Sequence, residues 1–271
     1  MPARDPATTS LRSPEVAAIA ASGGIAVQPI GATEQHGPHL PITTDAVIAS
    51  ALASRAVAAL RARVPGAPEA WLLPTLSYGK SPEHRGFPGT VTLSSTTMLA
   101  LCLDVARSVA DSGIRTLVFV NAHGGNPELL HLVARDIREQ TGVLAVSVHA
   151  PSLPLPADLV ERVPRPDLDV HAGFYETSVM LALDPDSVSL PDAAPDGVEA
   201  ADALVADALS PLVGLGGAVP LPWNSSDVSA SGTIGDPTGA SAEWGAAALD
   251  AQTAALADVL AEVARVRGAL S

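Results

Sequence analysis

The feature that most constrains this chain is an alternation. Four short apolar runs, at residues 24–30, 70–76, 116–120 and 143–148, are separated by stretches in which apolar residues recur at helical spacing. Strands and helices in that series imply a parallel sheet, because parallel neighbours are joined by crossovers that are usually helical. The run at 116–120, Thr-Leu-Val-Phe-Val, is continuously apolar and β-branched, as expected of a central strand buried on both faces. Pro74 sends the run at 70–76 to an edge or a bulge, since proline cannot donate to a ladder. Helices are expected over 46–60, from the Ser94–Thr97 caps to Asp111, over 129–140, from near Glu176 to 183, within 197–212 and over about 241–266. The fold class is therefore α/β with a mostly parallel sheet. At 271 residues, one large domain over 13–271 is expected, after a Pro-, Thr- and Ser-rich tail at 1–12 that is expected to be disordered. Hydrophobic residues are 47% of the chain and aromatics 3%, so the core must be built from Ala, Val and Leu.

The chemistry gathers in loops that follow strands, where open α/β sheets bind ligands. Residues 31–45 contain Glu34 and His36, two apart in an extended segment and so able to face one side. Asp45 stands where the next helix starts; it either caps that helix or bridges two metals, and the segment alone favours the cap. The loop at 77–90 offers Tyr78, Glu83, His84 and Arg85 for substrate contact, against the plainer reading of a solvated surface turn. After the run at 116–120 come His123, Gly124, Gly125 and the cap-like pair Asn126 and Pro127; free N–H groups at that turn could hold an oxyanion. His131 reads as a surface residue, and His149 ends the fourth run. Residues 151–169 carry five prolines and read as a connection or lid. Glu176 opens an apolar helix, where it either favours the helix dipole or, being buried, needs a partner. His171 lies five residues earlier.

Taken together, Glu34, His36, Asp45, His123 and Glu176 form a set of carboxylates and imidazoles without thiolate. Such a set suits two divalent ions, Zn²⁺ or Mn²⁺ with Fe²⁺ also compatible, bridged by Asp45. A metal pair of this kind hydrolyses amides, with His171 placed to pass a proton to the leaving group.

At these residues the chain resembles the creatininase, or creatinine amidohydrolase, family. The resemblance rests on residues 31–41 with Asp45, on residues 121–126, on His171-Ala172-Gly173 with Glu176-Thr177-Ser178, and on Gly235-Asp236-Pro237. It implies a three-layer α/β/α sandwich, a dinuclear metal centre, hydrolysis of small cyclic or non-peptide C–N bonds, and a homohexamer. Position by position it implies Glu34, His36, Asp45 and His123 as metal ligands and His171 as proton donor. Where creatininase itself has a Tyr-Glu pair after the ligand histidine, this chain has Gly124-Gly125. Glu176 then replaces the missing carboxylate, and also stands as a catalytic candidate, while creatinine is disfavoured as substrate. The Gly-Gly form is more similar to branches that include the mycofactocin-precursor peptidase, formamide deformylases and hydrolases of cyclic keto-sugars. The expected function is hydrolysis of a small cyclic amide, a formamide or a short peptide-like amide; the alternatives are a cyclic keto-sugar or lactone hydrolase, a mycofactocin-precursor-type peptidase, and a metal-stabilised binding protein.

A formal net charge of −14 without a Lys/Arg run argues against nucleic-acid or anionic-membrane partners and leaves a small-molecule substrate. The lone Cys102 excludes an internal disulfide and reads as a core thiol of a reducing compartment. Without an apolar leader or a run of about 20 apolar residues, a cytoplasmic location is expected.

Overall fold

The computed structural model describes residues 11–206, 212–215 and 218–270. Apart from residues 11 and 12, the expected disordered tail lies outside the described residues. The first half runs α1 (Ser13–Ala21), β1 (Ile25–Ile30), α2 (Thr44–Arg63), β2 (Ala70–Leu72), α3 (Ser95–Asp111), β3 (Thr116–Asn121), α4 (Pro127–Thr141) and β4 (Leu144–His149). The second half adds α5 (Ala157–Val160), α6 (Phe174–Leu183), α7 (Val198–Ala206), the short pair β5 (Val213–Gly214) and β6 (Val219–Pro220), α8 (Ser225–Val228) and α9 (Ala242–Ala269). Residues 207–211 of the expected helix within 197–212 lie outside the described residues.

The sheet has the order β2-β1-β3-β4, all parallel. Side chains alternate across it. Ile25, Val27, Val118 and Val120 meet Leu52, Ala56 and Leu60 of α2 and Leu256 and Leu260 of α9 on one face. Ala26, Ile30, Leu117 and Phe119 meet Met98 and Cys102 of α3 and Leu130 and Val133 of α4 on the other. The result is the three-layer α/β/α sandwich expected. Burial pushes the Cys102 thiol up to about 12, as befits an inert core residue.

Pro74 ends β2 early, and the pairing resumes two residues later. Leu76 N donates to Pro29 O (3.0 Å) and Gly31 N to Leu76 O (3.0 Å), so the edge carries a bulge rather than a continuous strand. Helix α6 lies so close to α9 that a Cβ at Gly245 would strike the Ser178 backbone. A small cluster of Leu159, Phe174, Trp244 and Ala248 pins α5 to these helices. In it Trp244 is fully buried, meets Phe174 edge-on at 5.0 Å, and donates its indole N–H to Leu159 O (3.0 Å).

From β1 the chain crosses outward to β2, and then returns past β1 to β3. The carboxyl ends of β1 and β3 therefore border the crevice where winding reverses, the general ligand position of such sheets. No helix among the described residues is long and apolar enough to cross a membrane.

Candidate metal centre

The loop after β1 remains buried and is held by its backbone. Glu34 N donates to Ile42 O (3.0 Å), Val91 N to Thr33 O (2.8 Å), and Thr33 Oγ1 to Ser77 O (2.7 Å). His36 Nδ1 donates to Glu34 O (3.1 Å), which leaves Nε2 facing Asp45 Oδ1 at 3.2 Å and Glu176 Oε2 at 3.7 Å. Asp45 sits in the first turn of α2 and does not cap it: the N-cap is Thr43, and the buried Asp45 carboxylate turns instead to His36 and His123. That corrects the expectation from the segment alone. A carboxylate with two buried imidazoles beside it is held there more strongly than by an N–H of the helix terminus.

After β3, Asn121 clamps the turn that carries His123. Its Oδ1 accepts from His123 N (3.2 Å) and Asn126 Nδ2 (3.0 Å), and its Nδ2 donates to His123 O (2.8 Å). Asn126 is the N-cap of α4 but makes no side-chain cap bond; its Oδ1 accepts from Lys80 N (3.0 Å), tying the loop after β2 to this turn. The Lys80 carbonyl in turn accepts from His123 Nε2 (2.9 Å). Nδ1 of His123 is thereby aimed between Glu34 Oε1 and Asp45 Oδ2, 3.2 Å from each. Both imidazoles thus follow one rule: a backbone carbonyl takes one ring hydrogen and presents the other nitrogen to carboxylates.

His171 and His84 complete the cluster. Both hydrogens of Gln35 Nε2 are used, toward His84 Nδ1 (2.9 Å) and Gly232 O (3.1 Å), and Gln35 Oε1 accepts from Gly37 N (2.8 Å). His84 Nδ1 also accepts from Ser225 Oγ (2.7 Å), so its Nε2–H points at Glu34 Oε1, 3.3 Å away. His171 Nε2 donates to Gln35 O (2.7 Å), leaving Nδ1 free on the side of Glu34 Oε1, at 3.7 Å. Its ring stacks on His84 with centroids 4.1 Å apart. Glu176 Oε2 accepts from Ala172 N (2.6 Å), which the left-handed backbone of Ala172 (φ 52°) turns toward it.

Charge is distributed unevenly. Burial opposes the imidazolium of His36 and of His123, but Asp45 and Glu176 around the first, and Glu34 and Asp45 around the second, raise both well above the usual histidine range. Burial likewise opposes ionisation of Asp45, yet His36 and His123 hold its carboxyl far below the ordinary range, while burial raises Glu34. His84 is driven down to about 3 by burial and by its charged neighbours, and burial takes His171 well below its ordinary value. These two rings are neutral at pH 7.

The donor set fits divalent ions. Glu34 Oε2 is a buried carboxylate oxygen without a hydrogen-bond donor, and Asp45 Oδ2 has only His123 Nδ1 beside it, at 3.2 Å; an oxygen left in this way is in the costly condition that a cation relieves. Ligand atoms converge within 4.8 Å in two sets, Glu34–Asp45–His123 and His36–Asp45–Glu176, that share only Asp45. Others overlap them, including Glu34–His36–His171 and Glu34–Glu83–His84.

A cavity of about 480 Å³ opens on this cluster. Glu83, His84, Gly124 and Gly125 line it, together with Lys80, Leu221 and Trp223. Tyr78 does not reach it. Ser77 and Gly79 on either side are tied inward to Thr33 and Leu93, so Tyr78 projects outward and is 52% exposed. Arg85 and His131 are exposed as well. Gln35, Asn121 and Ser225 were missed because amides and hydroxyls acting through a histidine carry no spacing signal; only the neighbourhood of Gln35, between Glu34 and His36, hinted at a role.

The family model for creatinine amidohydrolase, Creatininase, matches residues 9–260. The chain belongs to the creatininase family. Among its relatives there, the mycofactocin precursor peptide peptidase of Mycolicibacterium smegmatis is 37% identical over 224 residues, covering 80% of this chain and 76% of that one. The creatinine amidohydrolase of Pseudomonas putida is 33% identical over 189 residues, covering 64% and 70%. Solved creatininase structures, one a manganese form and one a zinc form of a variant, match with a TM-score of 0.72 at 26% identity over 93% of this chain and 96% of theirs. As a member of the creatininase family, this chain is a hydrolase, and its buried His/Asp/Glu cluster is suited to metal.

Proposed function

We propose that this chain is a two-metal amidohydrolase acting on a small cyclic amide, a formamide or a short peptide-like amide. The observation that carries the proposal is the pair of three-residue sets joined at Asp45. Glu34, Asp45 and His123 would hold one divalent ion and His36, Asp45 and Glu176 the other; zinc, manganese or iron(II) suits these ligands. Such ions, when bound, supply Lewis acidity that lowers the pKa of a water and polarises an amide carbonyl. His171, neutral and with its Nε2 hydrogen held by Gln35 O, takes up a proton at Nδ1 and returns it to the departing amine nitrogen. His84 holds the Glu34 carboxylate through its Nε2–H. Gly124 and Gly125 border the same cavity, where a backbone N–H can meet developing negative charge on the amide oxygen.

Creatinine is the less favoured substrate, since Gly124 and Gly125 present no side chain to it. The peptidase relative is more identical over more of this chain than the creatinine amidohydrolase, which supports a peptide-like amide. The reading extends, on the family resemblance, to one hydrolase domain over residues 13–271 and to a cytoplasmic homohexamer. Elemental analysis after loading with zinc or manganese tests it: about two ions per chain are expected, falling to about one in Glu176→Gln. Lactams, formamides, dipeptides and lactones are then screened with the loaded protein. A metal content untouched by Glu176→Gln, or turnover confined to lactones, would refute the assignment.

A further inference from the structure

A second cavity of about 340 Å³ lies behind the candidate metal centre. It shares Gly124, Val170, His171 and Glu176 with the first cavity, so the two adjoin beside the cluster as neighbouring lobes. The second lobe is walled by Leu155, Val160, Val163, Pro166 and Trp244, with Val160 (42%) and Val170 (39%) exposed near its mouth. Away from His171 and Glu176, the polar groups along it have partners within the protein. Trp244 Nε1 donates to Leu159 O, Tyr175 Oη to Gln252 Oε1 (2.8 Å), and the Asp169 carboxylate accepts from Phe174 N and Tyr175 N (2.7 and 3.0 Å). His149 Nδ1 accepts from Asn121 Nδ2 (3.0 Å).

Gly124 stands at the junction, and neither its backbone nor its packing calls for glycine. Its φ is not in the left-handed region, and a Cβ built there meets no atom within 4 Å. Gly125 differs: a Cβ there would strike Lys80 O and come within 2.6 Å of Glu83 Oε1 and His123 Nε2. Glycine at 125 is thus required by the folded chain, whereas at the exposed Gly124 the place a Cβ would take is open space bordering both lobes.

We infer that the second lobe is a substrate subsite for an uncharged apolar arm, aliphatic or aromatic, attached next to the scissile amide, and that Gly124 is the gap through which the arm passes. The substrate is accordingly an elongated amide spanning both lobes rather than a compact ring confined to the metal side. The inference rests on the amidohydrolase reading for the bond that is cut, though not for where the arm lies.

Two probes test it with the zinc-loaded protein, acetohydroxamate and 3-phenylpropionohydroxamate, compared as a ratio of affinities by calorimetry. Burying the phenyl arm in the second lobe raises affinity on the order of tenfold over acetohydroxamate. Val163→Asp and Gly124→Leu bring the ratio to near one, whereas Leu221→Asp, in the wall of the first lobe, leaves it high. A ratio near one in the unsubstituted protein, or a high ratio lost in Leu221→Asp and retained in Val163→Asp, overturns the inference. Methyl NMR with 3-phenylpropionamide, which lacks the chelating group, reads the arm without metal: shifts are expected at Leu155, Val160 and Val163, and shifts at Leu215 and Leu221 instead would overturn it. Failure of both hydroxamates to bind alongside shifts in the second lobe would refute the metal reading and leave the subsite standing.

Discussion

Asp45→Asn probes the cluster most sharply, because Asp45 belongs to both candidate ligand sets. In the metal-stripped protein the substitution keeps shape and volume but removes the charge between His36 Nε2 and His123 Nδ1, each 3.2 Å away. The side chains are 0–3% exposed, so water cannot replace it. Breaking one partner of a buried ion pair costs about 3–5 kcal/mol, and the lower end applies because the histidines can shed their protons instead. At about 2–4 °C per kcal/mol for a chain near this size, Tm should fall by about 6–12 °C. The loss should also depend on pH. His36 and His123 are raised above 6.5 in the folded protein, so their contribution is complete below pH 6.5 and is lost as pH climbs through the folded values. Differential scanning calorimetry of the stripped protein should therefore show a larger gap between the unsubstituted chain and the Asp45→Asn variant at pH 6 than at pH 9. A gap below about 2 °C at pH 6, or one that widens toward pH 9, would refute the charge distribution described for this cluster.

Gly125→Ala should destabilise by about 1–3 kcal/mol through overpacking and weaken zinc binding about 10–100-fold by displacing the Lys80 carbonyl that fixes His123; Gly124→Ala should change stability by less than about 0.5 kcal/mol. Thermal melts and zinc titrations that cannot tell the two variants apart would count against this. On the acid side, Asp196 links α7 to the segment that carries Gly232. Burial would raise its carboxyl, but bonds from the Ser231 N–H and hydroxyl, the Ser229 hydroxyl and Gly197 N bring it down to about 2. Its contribution is present above about pH 3.8 and lost as pH falls through about 2, so urea midpoints of the protein and of Asp196→Asn should converge over that interval; parallel curves would exclude the effect.

The sheet was legible because its determinants are local. The run at 116–120 and the one at 143–148 need only their own composition to read as buried parallel strands, and Pro74 announced an interrupted edge by its missing N–H. Glu34 and His36 were legible for the same reason, being two apart in one extended loop. Asp45 shows where local evidence ends: at a helix start it reads as a cap, and only the folded loop that turns His36 toward it and the arrival of His123, from β3, give its carboxylate stronger partners. Tyr78 and His84 were alike by position in one polar loop, yet the clamp between Thr33 and Ser77 turns the first outward while Gln35 and Ser225 hold the second against Glu34. By itself, then, the sequence determined the layer order, the motif that marks the family and most of the ionisable cluster, since these follow from periodicity and residue type along the chain. The tertiary structure decided which nitrogen of each histidine faces the carboxylates, the place of Glu176 beside His36, and the second lobe beside Gly124. Most of those depend on groups from separate segments of the chain meeting in a dry interior, where each hydrogen must find its acceptor, and the spacing within one segment does not encode that meeting.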